Sequence, residues 1–143
     1  MRRRHLMLLA APLLASSVAL APAHAAPAVA AAVKVTKVEV VTLLKSGETI
    51  TCDGTPVAMA FDGKVTATGP GTVRYHWTVN TGRARVSPGT LVFGAGASTQ
   101  VAFLVVDVPA PRKAKAVTGY VTLHLPDQGK SARGEQVTFP CKK

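Results

Sequence analysis

The stretch GPGTVRYHWTV, residues 69–79, decides how the chain is read. A Gly-Pro-Gly turn runs into a segment where Val73, Tyr75, Trp77 and Val79 alternate with Arg74, His76, Thr78 and Asn80. Side chains on a β-strand point alternately to its two faces, so one face here is apolar and the other polar. The single tryptophan lies on the apolar face. Two sheets packed face to face leave a gap of about 10 Å that needs large side chains. The stretch therefore predicts a central strand of a β-sandwich, with Trp77 as its filler.

Working outward, short β-branched and aromatic runs are separated by Gly, Pro, Asp and Asn, and none sustains a helical period from Val33 onward. Strands are expected over 35–44, 57–66, 71–79, 90–93, 99–108, 117–125 and 135–141. Apolar positions of the first change parity between Val35 and Val38, which predicts a bulge or a change of sheet. The second directs Val57, Met59, Phe61 and Val65 to one side; the sixth directs Val117, Val121, Leu123 and Leu125 inward. The fifth is apolar on both parities, with Val101, Phe103 and Val105 opposed to Ala102, Leu104 and Val106. Either both of its faces are covered or a partner packs against it. The expectation is an all-β, seven-stranded antiparallel sandwich.

The first residues precede that domain. Arg2, Arg3 and Arg4 lead an apolar run over 6–20, and Ala23-His24-Ala25 has the small-x-small form of a cleavage site. Residues 1–25 read as a secretory signal peptide cut after Ala25, too short in its apolar core for a membrane span. Arg3-Arg4 loosely fits a twin-arginine signal, with general secretion the default. Residues 26–33 are expected to be a disordered lead-in, residues 34–143 the domain, and no span is expected in the mature chain. Losing Arg2, Arg3 and Arg4 lowers the formal net charge from +10 to +7, so the mature protein stays basic. Export exposes Cys52 and Cys141 to an oxidising compartment, and two cysteines allow one pairing. Neither sits in a CxxC or CxxH spacing, so a disulfide is expected, stabilising by about 4 kcal/mol through loop entropy.

Cys52 before Phe61-Asp62-Gly63, then residues 69–77, then Thr90-Leu91-Val92-Phe93, and a closing Val137-Thr138-Phe139-Pro140-Cys141 resemble an immunoglobulin-like domain of secreted bacterial proteins. The resemblance covers nearly the whole mature chain from Cys52. It departs where such domains often carry a second tryptophan in the fifth strand, since Phe103 or Leu104 stands there. It implies an Ig-like sandwich and an extracellular, non-enzymatic module, and supplies no catalytic residues.

In an antiparallel seven-strand order, Cys52 and Cys141 reach the same pole of the sandwich. Lys45, Arg83, Arg85, Arg112, Lys113, Lys115, Lys142 and Lys143 map there too, offset by Glu48, Asp53 and Asp107. The other pole is expected near neutral, holding Lys130, Arg133, Asp127 and Glu135. Such a basic end suits an anionic polymer or acidic surface, or serves only to keep the protein soluble. Nucleic acid is not expected, because stacking needs exposed aromatics and Tyr120 alone qualifies.

Catalysis finds little footing: no Ser-His-Asp order, phosphate loop or carboxylate pair stands out, so no enzyme activity is expected. Arg74, His76, Tyr120 and His124 are expected to share one outward face as a second candidate binding surface. Two histidines lack the third ligand a metal site wants, and Met59 has the parity of a core residue, so neither metal nor cofactor is expected. The expected function is a secreted binding or structural accessory module, its partner an unknown protein or an anionic cell-envelope polymer. The alternative is a small secreted inhibitor of an extracellular enzyme, acting through the 83–88 or 109–115 loop.

Overall fold

Alternation over residues 71–79 forms the strand it predicts, and its neighbours are set by the same parity. The computed structural model describes residues 32–80, 83–84 and 88–142. They form β1 (Lys34–Thr42), β2 (Val57–Thr68), β3 (Gly71–Val79), β4 (Arg83–Ala84), β5 (Gly89–Phe93), β6 (Ala97–Val108), β7 (Ala116–Gly119), β8 (Val121–Leu125), β9 (Lys130–Arg133) and β10 (Val137–Pro140). One sheet has the order β1-β2-β6-β4 and the other β5-β3-β8-β9, with β7 and β10 as a separate two-stranded ribbon. The described residues contain no α-helix, and the arrangement is an all-β, sandwich-like fold. The expected signal peptide and nearly all of the lead-in lie outside the described residues, as do Arg85, Lys143 and the side chain of Arg83.

The seven expected strands become ten segments, for local reasons. The 117–125 strand is divided at Tyr120. There the side chain of Asn80 enters the ladder: its Oδ1 accepts from the Tyr120 N–H at 2.5 Å, while the Asn80 N–H donates to the Tyr120 carbonyl at 3.2 Å. The closing strand starts earlier than expected, at Lys130, because the turn is tighter. Pro126–Gln128 makes a single 3-10 turn and Gly129 (φ 58°) reverses the chain in the left-handed region. The same strand is interrupted at 134–136, where the register slips by one: Arg133 faces Thr122 but Val137 faces Gly119. The parity change in β1 is a bulge, with Val35 opposite Ala67 and Lys37 opposite Thr66.

Inward parity builds one core between the sheets. Val73 and Trp77 are buried, while Tyr75 and Val79 are only half-buried, a correction to the expectation that all four are interior. Met59 is buried in the core, opposite Val106 in the ladder, as its parity predicts. Trp77 reaches across the gap to the opposite sheet at Gly63. A methyl placed on Gly63 would lie 2.8 Å from Trp77 Cζ2 and 2.6 Å from Leu123 Cδ2, so only glycine admits the ring. The indole Nε1 is buried without a hydrogen-bond partner among the described residues. That desolvated donor opposes the gain from burying the ring.

β6 departs from one of the two expectations for it. Ala102, Leu104 and Val106 are buried, but Val101, Phe103 and Val105 on the outer face are exposed, so its second face is not covered by the described residues. Cys52 and Cys141 are bonded as expected, with Cα atoms 5.4 Å apart and a sequence separation of 89. Beside the bond, Ile50 and Cys141 form a parallel bridge, in which the Ile50 N–H donates to Pro140 O at 2.9 Å and the Lys142 N–H to Ile50 O at 2.8 Å.

Urea unfolding measures what this packing contributes. Trp77→Ala is expected to destabilise by about 3–5 kcal/mol through the cavity it leaves. Gly63→Ala, which adds a methyl where the ring sits, is expected to cost about 1–3 kcal/mol by overpacking. Replacing Cys52 and Cys141 together by Ala is expected to cost about 2–5 kcal/mol, and a midpoint unmoved by that change would contradict the account of the bond.

Candidate functional site

Pro109 and Pro111 cannot extend the ladder of β6, so the chain leaves the sheet as the loop 109–115. Backbone contacts pin that loop to the disulfide. The Gly54 N–H donates to Ala110 O at 3.0 Å, and the Ala114 N–H closes a turn onto Pro111 O at 2.8 Å. The Cys141 N–H donates to Lys115 O at 2.9 Å. Ala110 is buried at the base, and Arg112 Nε donates to the carbonyl of Asp53 at 2.7 Å. Arg112, Lys113, Ala114, Lys115, Cys141 and Lys142 thereby line one open cleft of about 490 Å³. The sequence expectation that Arg112, Lys113, Lys115 and Lys142 gather around the disulfide is met.

The other charges expected at the two poles are found there in part. The turn carrying Lys45 lies against β10, since the Gly47 N–H donates to Thr138 O at 2.9 Å, which brings Lys45 toward the same end. Arg83 pairs in the ladder with Asp107, one residue from the end of β6, so its backbone is at this pole as well. Asp53 adjoins the cleft through the bond of its carbonyl with Arg112. The Thr55 N–H, 2.8 Å from Asp53 Oδ1, holds its pKa below the usual range, with a smaller contribution from the Arg112 charge. At the far pole Asp127 and Lys130 are placed as expected, but Arg133 and Glu135 are not. Arg133 faces Thr122 in mid-sheet and Glu135 borders Val40–Thr42, because the closing strand starts five residues before Glu135.

Of the second set of candidates, the outward face of β3 and β8 brings only the two histidines together. His76 and His124 are direct cross-strand neighbours with rings stacked 4.8 Å apart at 11°, and His124 Nε2 lies 2.9 Å from Thr78 Oγ1. Tyr120 stands further along the face, with the guanidinium of Arg133 3.6 Å over its ring. Arg74 reaches neither histidine. It grips Asp127 with two bonds, Nε to Oδ2 at 2.8 Å and Nη2 to Oδ1 at 2.5 Å. Parallel imidazoles direct their ring nitrogens side by side rather than to one point, and no group of three or more His, Cys, Asp or Glu among the described residues is placed to hold a metal ion.

Arg133 over Tyr120 and Arg74 on Asp127 escaped the sequence reading, because both depend on where the 126–129 turn places β9. The signal for the second was present in principle: an acidic residue in the turn directly after the strand that pairs with β3. No protein-family model matches the chain, and no curated protein matches it.

The Arg74–Asp127 pair has a readable consequence. The hydrogen bonds from Arg74 lower the Asp127 pKa, and the same bonds raise that of Arg74. A depressed folded pKa means the pair's contribution is present above the unfolded value, near 4, and is lost as pH falls through the folded one. Arg74→Ala is therefore expected to move the Asp127 carboxyl titration, followed by carbon NMR, back up toward the ordinary range. An unmoved titration would show that the bonds are not made in solution.

Proposed function

We propose that the chain is an exported, non-enzymatic module of the immunoglobulin-like sandwich type that binds anionic cell-envelope polymers through its basic pole. The observation that carries the reading is the cleft at the disulfide, where Arg112, Lys113, Lys115 and Lys142 converge on a backbone braced by hydrogen bonds. Bracing matters because fixed cations bind a polyanion without first being ordered. The sandwich reading draws support from the strand order, in which β3 and β6, separated by two short strands, belong to different sheets. Export draws support from the disulfide and from the amino-terminal pattern of residues 1–25.

Binding of polyphosphate and of polyglutamate, titrated by fluorescence at low and moderate salt, tests the reading. Affinity is expected to fall roughly tenfold or more over that range, as bound counterions are released. Lys113→Glu with Lys115→Glu is expected to abolish binding, while Lys130→Glu at the far pole leaves it within about twofold. No binding to either polymer at low salt rejects the proposal. The inhibitor alternative draws support from the braced 109–115 loop, and rapid cleavage after Arg112 by trypsin-like proteases would reject it.

A further inference from the structure

The basic loop 109–115 is moored at two points, and each lies at one half of the disulfide. At its entry the Ala110 carbonyl accepts from the Gly54 N–H, and Arg112 Nε donates to the carbonyl of Asp53. This side is therefore fixed to the residues that follow Cys52. At its exit the Lys115 carbonyl accepts from the N–H of Cys141 itself. The bond between Cys52 and Cys141 joins one mooring to the other. Residues 51–56 form no strand, and all of them but Cys52 are exposed. Hydrogen bonds in such a segment compete with water and open readily unless something else holds the chain. The carboxyl end is in the same position, since beyond Cys141 the Lys142 N–H rests on Ile50 O.

The bond is also within reach of a reductant. Cys52 is 8% exposed, but Cys141 is half-buried and lines the open cleft with Arg112, Lys113, Lys115 and Lys142. None of the residues lining that cleft is acidic. Thiol–disulfide exchange proceeds by attack of a thiolate and departure of another, and neighbouring cations favour both anions.

We propose that the Cys52–Cys141 bond controls the cleft, so that its reduction by a dithiol frees the two moorings from each other and lowers the affinity for polyanions. In that step the S–S bond breaks and Cys52 and Cys141 each become a thiol. The dithiol gives up two electrons and two protons and closes to its own disulfide. This inference rests on the reading of the cleft as a polyanion site. Linkage makes the effect reciprocal: by whatever factor reduction weakens polymer binding, bound polymer makes the bond harder to reduce.

Calorimetric binding of polyphosphate at low salt, on the full chain oxidised and then reduced by dithiothreitol, tests this. Amide hydrogen exchange and Trp77 emission are followed in both states. Reduction is expected to weaken binding roughly tenfold or more, within the usual range of coupling between sites. It is also expected to speed exchange at the Gly54 and Cys141 amides while Trp77, packed on Gly63 inside the core, keeps its native emission. Replacing Cys52 and Cys141 together by Ala is expected to reproduce the weak binding with no reductant present. Saturating polyphosphate is expected to raise, by the same factor, the ratio of reduced to oxidised dithiothreitol that opens half of the bonds. Equal binding in the two redox states, or unchanged exchange at Gly54 and Cys141, overturns this inference alone. Unfolded Trp77 emission on reduction overturns it too, because the bond would then serve the whole fold. An oxidised chain that ignores polyphosphate at low salt rejects the polyanion reading and this inference with it.

Discussion

The contact between the Trp77 ring and Gly63 sets the spacing of the whole molecule. A sandwich core is filled from both sheets, and here one large side chain crosses the gap while the facing position contributes none. Leu123, the cross-strand neighbour of Trp77, meets the same glycine, so β3, β8 and β2 come together at this one contact. The price is a buried indole N–H with no partner, which removes part of what the ring gains on burial. A related economy occurs at the edge, where Tyr75 lies over Gly89 on the neighbouring strand.

With the core assigned to one parity, the outward parity was free to diverge, and it did. One sheet turns arginine, histidine and threonine outward; the other turns valine, phenylalanine and a balanced set of charges. The ends diverge as well. Chain reversals near the disulfide carry most of the described basic loop residues, while the turn at the far end holds Asp127, bound by Arg74. Three chemically distinct surfaces thus arise on a chain of 143 residues.

Much of this was legible in the residues. Alternation located the core strands and their inward side chains, and two cysteines left one pairing. The bulge in β1 was visible as the parity change after Val35. Strand ends were less legible because they depend on partners: Asn80 splits β7 from β8 with a side chain whose place in the ladder no local pattern declares. Arg133 was misplaced for the same reason, since its position follows from a 3-10 turn whose tightness rests on one left-handed glycine. The basic cleft could be anticipated from strand parity and loop composition. The stacked histidines could be expected only as near neighbours, because ring orientation is decided by contacts such as that of Thr78 with His124.

The position of the disulfide has a mechanical meaning. Cys52 lies shortly before β2 and Cys141 directly after β10, so the bond short-circuits every described strand except β1. Tension applied between the two ends of the chain would pass from Cys141 straight to Cys52, and the loop between them would bear no load. Only residues up to Cys52 could be drawn out. Stretching them would peel β1 from β2 and shear the bridge at Ile50, while the Trp77 core stayed folded behind a covalent clamp. A module of this build would yield at its amino-terminal strand and retain the cleft beside the clamp.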